Sequence, residues 1–224
     1  MKDFKILVSL TGDSAQDCLS KIKELQKYQV SEVALFLERL TPVDREQVYL
    51  ALSKIKIKIP LVHLRHDMTG VEVKMLSNIY KVKYFTIHED HFKIIKNWRG
   101  FYKKLYLEMT TDDYVAKNVK VEKIGGFCVD LAHYKHQAVL NNKDFKYVYN
   151  RRTKAALFAC NHISGYSYKD NIDMHQVSAK SNFDYLSELP IFVFGKMLAI
   201  EVDNSIKEQL IYKEYILKLL TKLV

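Results

Sequence analysis

The sequence predicts a single closed (β/α)8 barrel spanning residues 1–224, and three observations carry that expectation. Short apolar runs rich in β-branched residues alternate with longer amphipathic stretches from one end to the other. The runs are apolar almost throughout, as strands covered on both faces must be. Ionisable residues gather where the runs end, and a barrel builds its chemistry at the C-terminal ends of its strands. An open, doubly wound sheet needs the same alternation; the third observation favours the closed form.

In chain order the predicted strands are KILVSL (5–10), EVALFL (32–37), IPLVHL (59–64), KYFTIH (83–88), KLYLEM (104–109), GGFCVDL (125–131), AALFAC (155–160) and MLAIEV (197–202). Between them, 14–28 places Leu19, Ile22 and Leu25 on one helical stripe, and 44–54 follows the start signal Thr41-Pro42. Shorter helical patterns cover 71–80 and 90–98, another opens near His133 and runs to Leu140, and 181–189 and 206–223 complete the series. Residues 112–120 are weakly patterned and predict a turn or two at most. Strict alternation implies parallel strands joined by right-handed crossovers.

Composition narrows the function classes. No run of 18 uncharged apolar residues exists, which argues against a membrane span. The opening MKDFKILVSLTGDS is too short in its apolar part for a secretion signal and reads as a first strand. Cys18, Cys128 and Cys160 are odd in number and lack CxxC spacing, which fits buried thiols in a reducing, cytoplasmic setting. Lys and Arg outnumber Asp and Glu by 35 to 26, a formal charge of +9 that would attract phosphate-bearing ligands. The lysines are scattered along helix faces, however, so nucleic acid is the less favoured partner and a small-molecule substrate the favoured one. A homo-oligomer is compatible with the sequence.

The predicted strand ends carry the candidate site. His63 ends the third run with His66 and Asp67 after it, His88-Glu89-Asp90 end the fourth, and Glu108 lies near the end of the fifth. Asp130 and His133 close the sixth, His162 follows the seventh, Asp173 and His175 lie in the loop beyond, and Glu201 and Asp203 end the eighth. Asp130 also suits the N-cap of the next helix. Glu108 and Glu201 interrupt apolar strands, and an unpaired buried carboxylate is costly. A cation at the mouth removes that cost, and carboxylates with imidazoles suit Zn, Mn, Fe, Co or Mg better than a thiolate site does.

The ordered set LYLEMT, CVDLAHYKH, CNHISGY, DMHQ and LAIEV resembles the xylose isomerase-like TIM-barrel superfamily across nearly the whole chain. That superfamily includes sugar and sugar-phosphate isomerases and epimerases, and apurinic endonucleases of the endonuclease IV type. The resemblance implies that Glu108, Asp130, His162 and Glu201 are metal ligands. In the isomerase branch Glu108 and Glu201 would also exchange the proton beside a carbonyl through an enediolate, with His133 touching a substrate oxygen. In the endonuclease branch His66 (or His63), His88, Asp173 and His175 would be additional ligands of a multinuclear zinc site. Met109 stands where many relatives have Asn, and Ser164-Gly165 where many have an acid, and the chain is shorter than typical members. The leading expectation is therefore a divalent-metal isomerase or epimerase of a small sugar, sugar phosphate or hydroxy-carbonyl compound. A zinc phosphodiesterase is the alternative, and a degenerate non-catalytic barrel the third reading.

Overall fold

The computed structural model describes residues 4–223. The predicted runs become β1 (Lys5–Leu7), β2 (Ser9–Leu10), β3 (Glu32–Phe36), β4 (Lys58–His63), β5 (Tyr84–His88), β6 (Leu105–Glu108), β7 (Gly126–Asp130), β8 (Phe158–Ile163) and β11 (Met197–Ile200). The helices are α1 (Ala15–Lys27), α2 (Pro42–Leu52), α3 (Gly70–Tyr80), α4 (Leu131–Leu140), α5 (Lys143–Tyr149) and α6 (Ile206–Thr221). Capping boxes start three of them: Ser14 with Asp17, Thr41 with Asp44, and Ser205 with Glu208. Left-handed residues end two more, Lys81 at φ 56° and Asn141 at φ 49°.

Several expectations shift. The stretches predicted helical at 90–98 and 181–189 are 3-10 turns, Glu89–Lys93, Ile95–Trp98 and Lys180–Glu188. The seventh strand begins three residues later than expected, because Ala155–Leu157 is a 3-10 turn. That shift draws His162 inside β8 instead of after it. Helix α5 and a hairpin of β9 (Gly165–Ser167) with β10 (Ile172–Met174) were not expected. Residues 112–120 hold no helix, in line with their weak pattern.

All the long ladders are parallel, in the order β1-β11-β8-β7-β6-β5-β4-β3-β2. The two ends of that ladder, β1 and β2, are separated by Val8 alone, whose carbonyl accepts from Ala34 N at 2.9 Å. The sheet therefore closes on itself as a parallel barrel. Beyond Leu7 the β1–β11 ladder stops, and side chains take over at the seam. Ser9 Oγ donates to Ile200 O, and Thr11 Oγ1 donates to Val202 O at 2.6 Å. Fully buried Gln209 of α6 accepts from Ser9 N at 2.7 Å and donates to Asn204 O at 3.0 Å and Ser9 O at 3.2 Å. Two glycines permit close approaches: a Cβ on Gly126 (φ +136°) would lie 2.3 Å from Leu157 O, and one on Gly195 2.3 Å from Ala159 C.

The barrel interior below the mouth is filled by Leu7, Ala34, Phe36, Leu61, Cys128, Cys160, Met197 and Ala199. The larger core lies between barrel and helices and includes Leu25, Val48, Leu76, Phe127, Phe183 and Ile216. Among the described residues no helix is long and apolar enough to cross a membrane.

Candidate metal centre

Register brings the predicted polar residues to one level. His88 of β5 pairs with Glu108 of β6, Asp130 of β7 pairs with His162 of β8, and Glu201 N donates to Ile163 O at 2.8 Å. In parallel strands, level residues with inward side chains converge at the barrel axis. His63 (1% exposed), Glu108 (2%), Asp130 (3%), His162 (0%) and Glu201 (7%) are all buried there.

Among the described residues, two donor groups share Glu108, and a third, His88, Asp90 and His91, shares His88 with one of them. Glu108, Asp130, His162 and Glu201 make an inner tetrad, and His63, His88 and Glu108 make an adjoining triad, each with donor atoms within 4.8 Å of one another. Glu108 belongs to both. His162 Nδ1 lies 2.9 Å from Glu108 Oε2 and 3.1 Å from Glu201 Oε2, and His63 Nε2 lies 3.1 Å from Glu108 Oε2. These atoms are close but none is aligned as a hydrogen bond: His63 Nε2, Glu108 Oε2, His162 Nδ1 and Glu201 Oε2 are buried without a partner. Unpartnered buried polar atoms are rare in native folds. Donors about 2.1 Å from one ion and at right angles to each other lie roughly 3.0 Å apart, so this spacing fits lone pairs converging on a divalent cation.

A further set leads outward from the mouth. Asp173 Oδ2, on β10, lies 3.7 Å from His133 Nε2 and 3.1 Å from His175 Nε2. His133 Nδ1 in turn lies 3.8 Å from Glu108 Oε1. The unexpected hairpin is what carries Asp173 and His175 to the mouth, and Asp203 N ties it down by donating to His175 O at 2.6 Å.

The electrostatics without a cation show how strongly charged this cavity is. Burial pushes Glu108 up, but the His162 and His63 imidazoles outweigh it and hold the carboxyl well below its ordinary range. Burial lowers His162, yet Glu108 and Glu201 raise it well above the usual imidazole value. His63 behaves alike between Glu38 and Glu108, reaching about 9 against the burial that lowers it. Burial raises Asp130 to about 6, and His133, lowered by burial but facing Asp130 and Asp173, rises to about 10. Hydrogen bonding to Asp173 raises His175 to about 9. His63, His133, His162 and His175 are drawn toward the cationic state by carboxylates that a metal ion would otherwise satisfy, whereas burial lowers His88.

Asp130 performs two tasks at once. Its Oδ1 accepts from His133 N at 2.7 Å and caps α4, while Oδ2 accepts from Ser164 Oγ at 3.3 Å. His66 is not drawn into the centre: it is exposed, with its ring 6.3 Å from His91, and His63 stands among the donors instead. Two residues escaped the sequence reading. Glu38 Oε2 lies 2.9 Å from His63 Nδ1, and Arg39 bonds both oxygens of Asp203 at 3.1 and 2.5 Å. The usable signal was a glutamate at the end of an apolar run, EVALFLE, the same signal that singled out Glu108. A separate acidic group, Glu89, Asp112 and Asp144, lies beside the mouth.

No family model and no curated protein matches this sequence. Solved structures do. A D-tagatose 3-epimerase-like protein superposes with a TM-score of 0.53 at 14% identity, over 99% of this chain and 100% of that one. A phospho-2-dehydro-3-deoxyheptonate aldolase from Thermotoga maritima also gives 0.53, at 12% identity, over 99% of this chain and 70% of that one. Two different activities on one barrel make the likeness a statement about fold.

Proposed function

We propose that the protein is a metal-dependent phosphodiester hydrolase of the apurinic-endonuclease type, acting on nucleic acid through a multinuclear centre at the barrel mouth. The observation that carries this reading is the double membership of Glu108. One carboxylate serves both the inner tetrad and the His63–His88 triad, and the His133–Asp173–His175 set adjoins them. A single-ion isomerase would take its ligands from the tetrad and use His133 at the substrate; His63, His88 and His175 would then hold no metal.

When bound, the ions would lower the pKa of a water to make a nucleophile and stabilise the departing oxygen. The chain's own part is to fix their places. Glu108 would be shared by two ions, the inner one completed by Asp130, His162 and Glu201 and the outer one by His63 and His88; His133, Asp173 and His175 would hold a third ion. This last set is partly solvent-accessible, with side-chain exposures of 20%, 29% and 37%, so a phosphate can reach it. The net charge of +9 favours approach of a polyanion. Three buried free thiols are in keeping with a reducing, cytoplasmic setting.

The test is metal content together with incision. Protein purified without chelator should carry two or three zinc-class ions per chain and nick a duplex bearing one abasic site. Glu108→Gln, which removes the shared ligand, should lower that rate by at least about 1,000-fold, the scale of losing a principal electrostatic contribution.

A second reading, a metal-dependent isomerase or epimerase of a small sugar, rests on Glu108 and Glu201 both reaching Nδ1 of His162, at 2.9 and 3.1 Å. There Glu108 and Glu201 would move the proton. One ion per chain, with turnover of a ketose and none of abasic DNA, would favour it.

A further inference from the structure

The outer donors depend on a carboxylate supplied by the loop after β3. Glu38 Oε2 lies 2.9 Å from His63 Nδ1, and on the far side of the same ring Nε2 lies 3.1 Å from Glu108 Oε2 without an aligned partner. A neutral imidazole has one N–H and one lone pair, so an acceptor at Nδ1 leaves the lone pair at Nε2. His63 is 1% exposed and wedged against the rings of His88 (4.7 Å) and His162 (5.2 Å), so neither water nor rotation can exchange the two nitrogens easily.

Glu38 is itself restrained. Arg39 Nε lies 3.8 Å from Glu38 Oε1, while the guanidinium also binds Asp13 at 2.8 Å and both oxygens of Asp203. Asp13 follows β2, Glu38 follows β3 and Asp203 follows β11, so one arginine straps three loops of the mouth together.

We propose that Glu38 is a positioning residue: it holds His63 in the Nδ1–H form and thereby makes Nε2 the ligand atom for an ion shared with His88 and Glu108. This rests on the multinuclear reading of the centre. Carboxylate partners on the second nitrogen of a ligating histidine raise its basicity and fix its aim. The rival explanation is a permanent imidazolium lying between Glu38 and Glu108, with no ion involved.

The experiment titrates chelator-stripped, full-length protein with Co2+ and Zn2+, resolving the number of ions and the affinity of each. It compares wild type, Glu38→Gln, Glu38→Ala and His63→Ala. The ion of the inner tetrad should bind alike in all four, which also reports that each variant is folded. The outer ion should weaken by roughly tenfold in Glu38→Gln, whose amide can offer either an acceptor or a donor. It should weaken by roughly 100-fold in Glu38→Ala, and be lost in His63→Ala. The cobalt absorption bands of that ion should shift in both Glu38 variants. Wild-type outer-site affinity in either Glu38 variant overturns the positioning role and leaves the multinuclear reading standing. A wild type that binds one ion only overturns both.

Discussion

Asp130 shows how one side chain can satisfy two demands that substitution can separate. Its Oδ1 caps α4 through His133 N, and the group sits in the inner tetrad. Asparagine caps a helix about as well as aspartate, but it is a poor ligand for a hard cation. Asp130→Asn should therefore leave the melting temperature of the metal-free protein within about 2 °C while weakening ion binding by roughly 10–100-fold. A large loss of metal-free stability would show that the cap is not preserved. Glu89 offers a pH test away from the tetrad. Burial raises its carboxyl to about 8 despite hydrogen bonds from Thr110. A raised carboxyl pKa means that the folded state binds the proton more tightly. The resulting stability is full below the ordinary carboxylate value of about 4.3 and is lost as pH rises toward 8. Metal-free Glu89→Gln should flatten this decline, gaining on the wild type by a few kcal/mol, in order of magnitude, between pH 5 and 8. Parallel melting curves across that range would count against it.

Among the elements, the seam at Val8 depends on one side chain, Gln209. Gln209 bonds both backbone groups of Ser9 and the carbonyl of Asn204, all in the interior. Gln209→Leu would strand these groups, at about 1–3 kcal/mol for each one left unmet, and chemical denaturation should show a loss of roughly 3 kcal/mol or more. A loss under about 1 kcal/mol would mean that water or Ser9 Oγ replaces the amide. The strands were readable because burial on both faces makes them continuously apolar. The stretches 90–98 and 181–189 predict helices but fold as 3-10 segments, since a short apolar period does not distinguish the two. The β9–β10 hairpin was missed because neither arm exceeds three residues. It nonetheless carries Asp173 and His175 to the mouth.

For the whole molecule, a cation held by the buried carboxylates and imidazoles would couple its binding to stability. An ion present at about a thousand times its dissociation constant adds about 4 kcal/mol to folding. At roughly 2–4 °C per kcal/mol for a chain of this size, a strong chelator should lower the melting temperature by about 8–16 °C, and zinc should restore it. An unchanged melting temperature would falsify a tightly held metal. If the proposed action on nucleic acid is right, the net charge of +9 predicts that binding to duplex nucleic acid weakens as salt is raised.

Periodicity together with the ionisable residues at the run ends pointed to the barrel, and the resemblance carried by the ordered motifs named Glu108, Asp130, His162 and Glu201, which the fold brings together. Both are local properties: strand burial dictates composition, and a buried carboxylate stands out against apolar neighbours. Only the tertiary structure decided that His63 and not His66 faces Glu108, that Glu38 backs it, and that Asp173 reaches His133. Those choices depend on register and on which way a side chain leaves its strand. A one-residue offset reverses the face a strand residue presents, and spacing along the chain does not encode it.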